Sequence, residues 1–469
     1  MKSEITGGMK GSSKELQQSA MFMAGLTLLQ SLRVALTGAK FAMDRFKIPQ
    51  QHASSFINMV HNPMELATFT GMAIVTIATL IKEPKDPVSK KCFRCLAIFT
   101  NVTLCCSFIL LLYAFTSGGE QGDLTFYYWA IVLVSFVYGL NVATVMNVGS
   151  ANASFFNVGI PLSGIQVCIY YYIFTKLAEW FNWSNVSYWI IFWQMIIAIV
   201  IAAASAGVWI AIAVVGTTAD QGGTGKQAKD TGTVWSPIFM GMVGMGGIYA
   251  FYPAIAPYKL TDVGTGYTID LAVLFVSAVP GIVIAIVTLC ASEKGPHKDW
   301  SSAQWWHGTW ILAIPHILAM VLCFVTLHYP DGRVASSIKS SGLKVGVITV
   351  TLKFCEEGLK AVSYSGAAKQ VDSGSEGTIS SFNAFTSQGL MIILAFTGDG
   401  YLKTYSKYEH DRSKWPTKDY GTLRSILYWA GSGMWVACKS VKSSFTTNVR
   451  CKVLGKSEAL LIVYADEEF

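Results

Sequence analysis

The chain has 469 residues, a formal charge of +7 and a mean hydropathy of +0.44, with 52% hydrophobic and only 13% charged residues. Soluble domains carry about 25% charged residues, so this composition excludes disorder, a coiled coil and nucleic-acid binding and argues against an ordinary soluble enzyme. The 42 glycines and 13 prolines fit helices in lipid, where both are tolerated.

One crossing of the hydrocarbon layer takes roughly 20 apolar residues. That ruler gives eleven candidate spans in chain order: 18–43, 63–81, 93–115, 126–149, 158–180, 188–216, 236–258, 268–291, 308–328, 343–365 and 379–402. The first apolar stretch is too long for a cleavable leader and reads as an uncleaved signal anchor. Cys92 and Cys95 form a lone CxxC, read as a chance spacing rather than a zinc site. Gly225-Lys226 lacks the preceding glycine and the following Ser or Thr of a phosphate loop.

Lysine and arginine set orientation. With the N-terminus inside, thirteen of these residues fall on the cytoplasmic side of the spans and seven on the other. The expected organisation is a cytoplasmic N-tail (1–17), a six-helix bundle (18–216), a cytoplasmic linker (217–235), a five-helix bundle (236–402) and a basic tail (403–469). The fold class is therefore an all-α polytopic membrane protein, about 11 transmembrane helices in a 6+5, major-facilitator-like two-bundle arrangement. Such proteins hold their substrate between the bundles. The tail disagrees with the charge rule, because eleven spans leave its eleven Lys and Arg residues outside. Residues 423–438 are apolar but short, and read either as an interfacial helix or as a twelfth, poor span.

Charged groups within spans are functional candidates by default. The tenth span holds Lys353, Glu356, Glu357 and Lys360, with i,i+4 pairs Lys353–Glu357 and Glu356–Lys360. Two readings stand: a stripe that neutralises itself, or a polar lining of a central cavity. Arg33 lies mid-span in the first helix and needs a carboxylate, with Glu65, Glu356 and Glu357 as possible partners. Asn141 and Asn147 in the fourth span read as cavity residues, with Gly139 and Gly149 as packing positions. Tyr252-Pro253 follows four glycines in the seventh span, a pattern suited to a kinked, moving segment.

Four stretches then carry a family resemblance: Ser31-Leu32-Arg33-Val34-Ala35-Leu36-Thr37 in the first span; Gly139-Leu140, Asn147-Val148-Gly149-Ser150 and Pro161-Leu162-Ser163-Gly164 from the fourth into the fifth; Tyr252-Pro253-Ala254-Ile255; and Glu357-Gly358 with the small, polar run to Ala367. In this order and spacing they resemble the equilibrative nucleoside transporter family in a divergent form, such as those of apicomplexan parasites, across roughly 18–402. The chain also resembles multi-pass membrane proteins of piroplasms. Departures accompany the likeness. The family's Trp-Asn pair is here Ala35-Leu36, its glutamine falls near Val142, and the eighth span reads Ala278-Val279-Pro280-Gly281-Ile282-Val283 without the family's Asp or Arg.

The resemblance implies a plasma-membrane transporter of a small polar solute, a nucleoside or nucleobase, working by alternating access. Arg33, Asn141, Asn147, Tyr252, Lys353, Glu356 and Glu357 are the candidate substrate-binding residues. The lipid bilayer and the solute are the expected partners, with no nucleic acid, cofactor or metal. The alternative is a non-transporting surface protein on a transporter-derived scaffold, which the altered eighth span favours. Seven scattered histidines without an HExxH argue against an enzyme.

Overall fold

The computed structural model describes residues 2–36, 38–49, 52–84, 86–215, 231–291, 293–372, 374–409, 411–446 and 448–454. The linker expected at 217–235 falls outside the described residues up to position 230, together with Gly225-Lys226. Thr37 and the end of the tail, 455–469, also lie outside them.

The described residues form α-helices joined by connections that include short 3-10 turns, among them Gln304–Leu312. The first half comprises α1 (Lys2–Leu28), α2 (Gln30–Leu36), α3 (Ala39–Arg45), α4 (Ala53–Ile81), α5 (Pro87–Thr116), α6 (Leu124–Val148), α7 (Ala153–Phe181) and α8 (Val186–Val215). The second comprises α9 (Trp235–Gly246), α10 (Ile248–Phe251), α11 (Val263–Cys290), α12 (Ala313–His328), α13 (Arg333–Lys339), α14 (Gly342–Gly366), α15 (Glu376–Ser406), α16 (Thr422–Ser444) and α17 (Val449–Leu454). Among the described residues nine helices are long and apolar enough to cross a membrane, or ten if Lys14–Ala35 and Ala39–Arg45, bent by 50°, are one span. The span expected at 343–365 is α14, a helix of 25 residues whose charges keep it out of that set. Because α1 starts at Lys2, the segment read as an N-tail is helical and continuous with the first span.

Local chemistry sets the helix starts. Asp86, Asp123 and Asp262 each accept a backbone N–H three residues on, from Ser89, Phe126 and Thr265, and Pro87 fills a first-turn position that needs no donor. Those bonds hold Asp86 and Asp262 below the usual carboxylate range. The seventh span breaks at Gly247, and its helix ends at Phe251 rather than at 258; Pro253, two residues beyond, cannot donate to a continued helix.

Small residues let backbones meet inside the first half. A Cβ on Gly139 of α6 would lie 2.0 Å from the Thr68 carbonyl oxygen of α4, and one on Gly25 of α1 would lie 2.0 Å from the Phe156 oxygen of α7. Without a hydrophobic force between helices in lipid, such close packing holds the bundle.

The two halves meet at the end where α8 stops and α9 begins, the linker end. The α7 and α11 helices run antiparallel there, with Ser154 accepting from Thr288 at 3.1 Å, Val158 against Gly281 and Gly164 against Leu274. The start of α15 packs on the first half as well: Gly377 touches the Asn147 backbone, and Ser375 donates to Glu83 at 3.3 Å. Deeper in, Phe69 of α4 stacks on Phe385 of α15 at 5.0 Å.

At the opposite, far end α16 lies across α15. Trp429 is 5.5 Å from Tyr401, while Ser440, eleven residues further on, bonds Lys403 at 3.2 Å. An antiparallel neighbour would place those residues about 16 Å apart along α15. The helix exposes Leu423, Ile426, Leu427 and Trp435, the pattern of an interfacial helix. From there α17 docks on the first half: Arg450 donates to the Phe46 carbonyl at 3.0 Å, Val449 N–H to Thr125 at 3.4 Å, and Trp129 to the Thr446 carbonyl at 3.2 Å. Both α16 and α17 thus lie against the far-end contacts of α15, α3 and α6.

Overpacking a tight crossing typically costs about 1–3 kcal/mol. Gly139→Val should therefore lower the thermal unfolding midpoint in detergent by several degrees, whereas Gly207→Ala, whose added Cβ meets nothing within 4 Å, should leave it unchanged.

Candidate substrate site between the two halves

Within α14, Lys353, Glu356, Glu357 and Lys360 fall at spacings of three and four and so project to one side of the helix. Glu356, Glu357 and Lys360 are buried. The shortest contacts are the i,i+3 pairs, Lys353 Nζ–Glu356 Oε2 at 2.5 Å and Lys360 Nζ–Glu357 Oε1 at 2.6 Å. The i,i+4 pairs expected from the sequence are the longer ones, Lys360–Glu356 at 3.3 Å and Lys353–Glu357 at 3.8 Å. Each carboxylate thus sits near two ammonium groups, and the group of four is neutral. Glu356 is held on both oxygens, whereas Glu357 keeps Oε2 buried without a hydrogen-bond partner.

Aromatic rings flank this cluster. The Lys353 ammonium stands 5.6 Å from the Tyr252 ring and 5.9 Å from the Tyr249 ring, close enough for cation–π attraction. Tyr249 reaches across to the first half, where its ring lies 6.4 Å from that of His61 on α4 and within electrostatic reach of Glu65. Tyr138 of α6 meets Gln388 of α15 nearby.

Arg33 enters from α2. Its guanidinium covers Gly164 of α7, with Nη2 2.8 Å from where a Cβ would be, and Leu274 of α11 touches the same point at 3.2 Å. Both Tyr249 and Tyr252 feel its charge. The ion pair expected for it with Glu65, Glu356 or Glu357 is not formed. Those acids are instead paired with His61, Lys353 and Lys360, and Arg33 Nε is buried without a hydrogen-bond partner. A further carboxylate, Asp270, lies on α11 one helical turn before Leu274. Tyr252 and Tyr258 direct their hydroxyls at it, and its Oδ1 is buried and unpaired.

The structure thus brings together Arg33, Tyr252, Lys353, Glu356 and Glu357, and leaves two candidates apart. Asn141 is buried within the first half, where its amide donates to Thr100 of α5 at 3.1 Å. Asn147 sits at the linker end, its backbone against Gly377. Asp270 was missed, although a lone acid two residues inside a predicted span is a readable signal. Tyr249 and the His61–Glu65 couple had no such mark, since only the fold turns them toward α14.

No protein-family model matches the chain, and no curated protein matches its sequence. Solved structures do match over nearly its whole length. The major-facilitator proton:xylose symporter XylE, bound to 6-bromo-6-deoxy-D-glucose, superposes with a TM-score of 0.53 at 12% identity, over 94% of this chain and 98% of that one. A bacterial homologue of the iron transporter ferroportin in its outward-facing state gives 0.52 at 10% identity, covering 92% and 100%. FucP, a major-facilitator transporter in the outward conformation, gives 0.50 at 12%, covering 92% and 98%. The fold is that of the major facilitators. The chain is accordingly an all-helical, multi-pass membrane protein whose charged α14 belongs to the second of two helical halves, as a major-facilitator fold arranges them.

Breaking one partner out of a buried ion cluster costs about 3–5 kcal/mol, while removing opposite charges together costs much less. Glu356→Gln should destabilise the protein strongly in thermal unfolding, and Glu356→Gln with Lys353→Met should recover at least half of the loss.

Proposed function

We propose that the protein is a transporter that moves a small polar solute between its two halves by alternating access, and that the solute is a nucleoside or nucleobase. The observation that carries this is the neutral, largely buried cluster of α14 set beside Tyr249 and Tyr252, two rings that the charge of Arg33 also reaches from the other half. Charges this deep in a membrane domain are expensive, and a solute-binding wall accounts for their being there.

Two further features support the reading. At the linker end both side-chain amide atoms of Asn157 are buried and unpaired, as are Asn147 Nδ2, Thr378 Oγ1 and Ser380 Oγ. Each such group costs about 1–3 kcal/mol while dry, and water entering an opened seam would repay it. The contacts between halves, from Ser154–Thr288 to Gly164–Leu274, lie toward that same end. With the linker in the cytoplasm, as the Lys and Arg balance suggests, this conformation is the outward-facing one. Substrate choice follows from the chemistry available. Unpaired Arg33 Nε, Asp270 Oδ1 and Glu357 Oε2 offer a donor and acceptors, and the rings of Tyr249 and Tyr252 offer flat faces for a base.

Expression in a purine-auxotrophic, transport-deficient cell tests the proposal. Saturable uptake of a labelled nucleoside or base is expected, reduced at least tenfold by Arg33→Ala. Absence of uptake for every labelled nucleoside and base despite surface expression would overturn the assignment and favour a non-transporting scaffold.

A further inference from the structure

Among the described residues at the central site, Glu65 is a carboxylate paired with a histidine and with no Lys or Arg. The two residues are four apart on α4, with His61 Nε2 3.4 Å from Glu65 Oε1 and side chains only 18% and 13% exposed. Nε2 makes no hydrogen bond. With the imidazole neutral and Nε2 unprotonated, two lone-pair atoms face each other at that distance in a poorly solvated place, and one carboxylate charge stands unbalanced. A single added proton converts this to a charge-assisted hydrogen bond and brings the couple to neutrality. The acids of α14 differ, since each already faces two ammonium groups. His316, a buried histidine near the cluster, turns Nδ1 to the Leu352 carbonyl at 3.2 Å and has no acid paired with its Nε2.

We infer that His61 and Glu65 form a proton-binding site coupled to the solute site through Tyr249. The bound proton lies between Nε2 and Oε1, arrives from water at the open end and leaves to water when the other end opens; no bond besides N–H or O–H is made or broken. The surroundings allow this. Tyr249 of α10 and Tyr138 of α6 face Glu65, Arg33 projects from α2, and Lys353 and Glu356 of α14 lie behind Tyr249. From α15 come the neutral amide of Gln388 and, further along, the Asp399–Lys403 pair. Arg45 of α3 and Arg450 of α17 are engaged with backbone carbonyls, and α16 carries Lys439 over its own Trp435. Tyr249 touches both the proton couple and, 5.9 Å away, the Lys353 ammonium, so protonation alters the field at the wall that the solute meets.

The coupling rests on the transport reading, but the proton site does not, and the experiment separates them. Infrared titration of the purified full-length protein from about pH 8 to pH 5, the range in which histidine ordinarily changes charge, should show a carboxyl or imidazolium signal. That signal should vanish in Glu65→Gln, vanish or move in His61→Gln, and move in Glu65→Asp, which keeps a carboxyl if the first variant does not fold. A titration the three variants leave unchanged overturns the site. Proteoliposomes loaded with adenosine then report the coupling: an acidic exterior should drive at least fivefold accumulation of labelled adenosine in the wild type, lost in His61→Gln. Exchange without pH-driven accumulation in the wild type, or accumulation retained by His61→Gln, overturns the coupling. Absence of exchange together with an intact titration counts against the transport reading instead.

Discussion

Four charges within two turns of one helix are the constraint around which the second half is organised. Alone, each of Lys353, Glu356, Glu357 and Lys360 would be prohibitive in a low-dielectric interior. Placed at spacings of three and four, they neutralise one another before any other helix is involved. That internal balance lets α14 sit in a membrane domain despite a composition no apolarity test accepts. It also frees the neighbouring helices from supplying counter-charges to α14.

The two halves and the seam between them use opposite kinds of contact. Inside the first half, α4 meets α6 and α1 meets α7 at glycines, backbone to backbone. Such crossings have one geometry and resist deformation. The contact at the linker end carries Asn147, Asn157, Thr378 and Ser380, each with a buried side-chain atom that has no hydrogen-bond partner.

Most of the architecture was legible because hydropathy over 20 residues is a strong signal. Each of the eleven expected spans has a helix at its place, and only α14 fails the apolarity test. What pattern reading could not reach were facts of three dimensions. The sequence offers Glu65, Glu356 and Glu357 as partners for Arg33, but these acids are taken by His61, Lys353 and Lys360. Asn141 looked like a cavity residue because an amide in a span is unusual, yet its bond to Thr100 shows that helix packing in lipid uses amides too. The direction of α16 is not legible in the sequence for a physical reason: 423–438 is short and mixed in polarity, and its crossing of α15 is set by contacts such as Trp429–Tyr401 that no pattern announces.

The docking of α17 has a mechanical consequence. The last described helix is fixed to the first half while the helix before it is fixed to the second, so the halves are stitched together at the rim opposite their covalent connection. From the end of α16 at Ser444 to the start of α17 at Val449 is five residue steps, which reach at most roughly 17–18 Å when fully extended. While α17 stays seated, this length is a hard stop on how far the rim can gape, set by the chain itself and independent of any cargo.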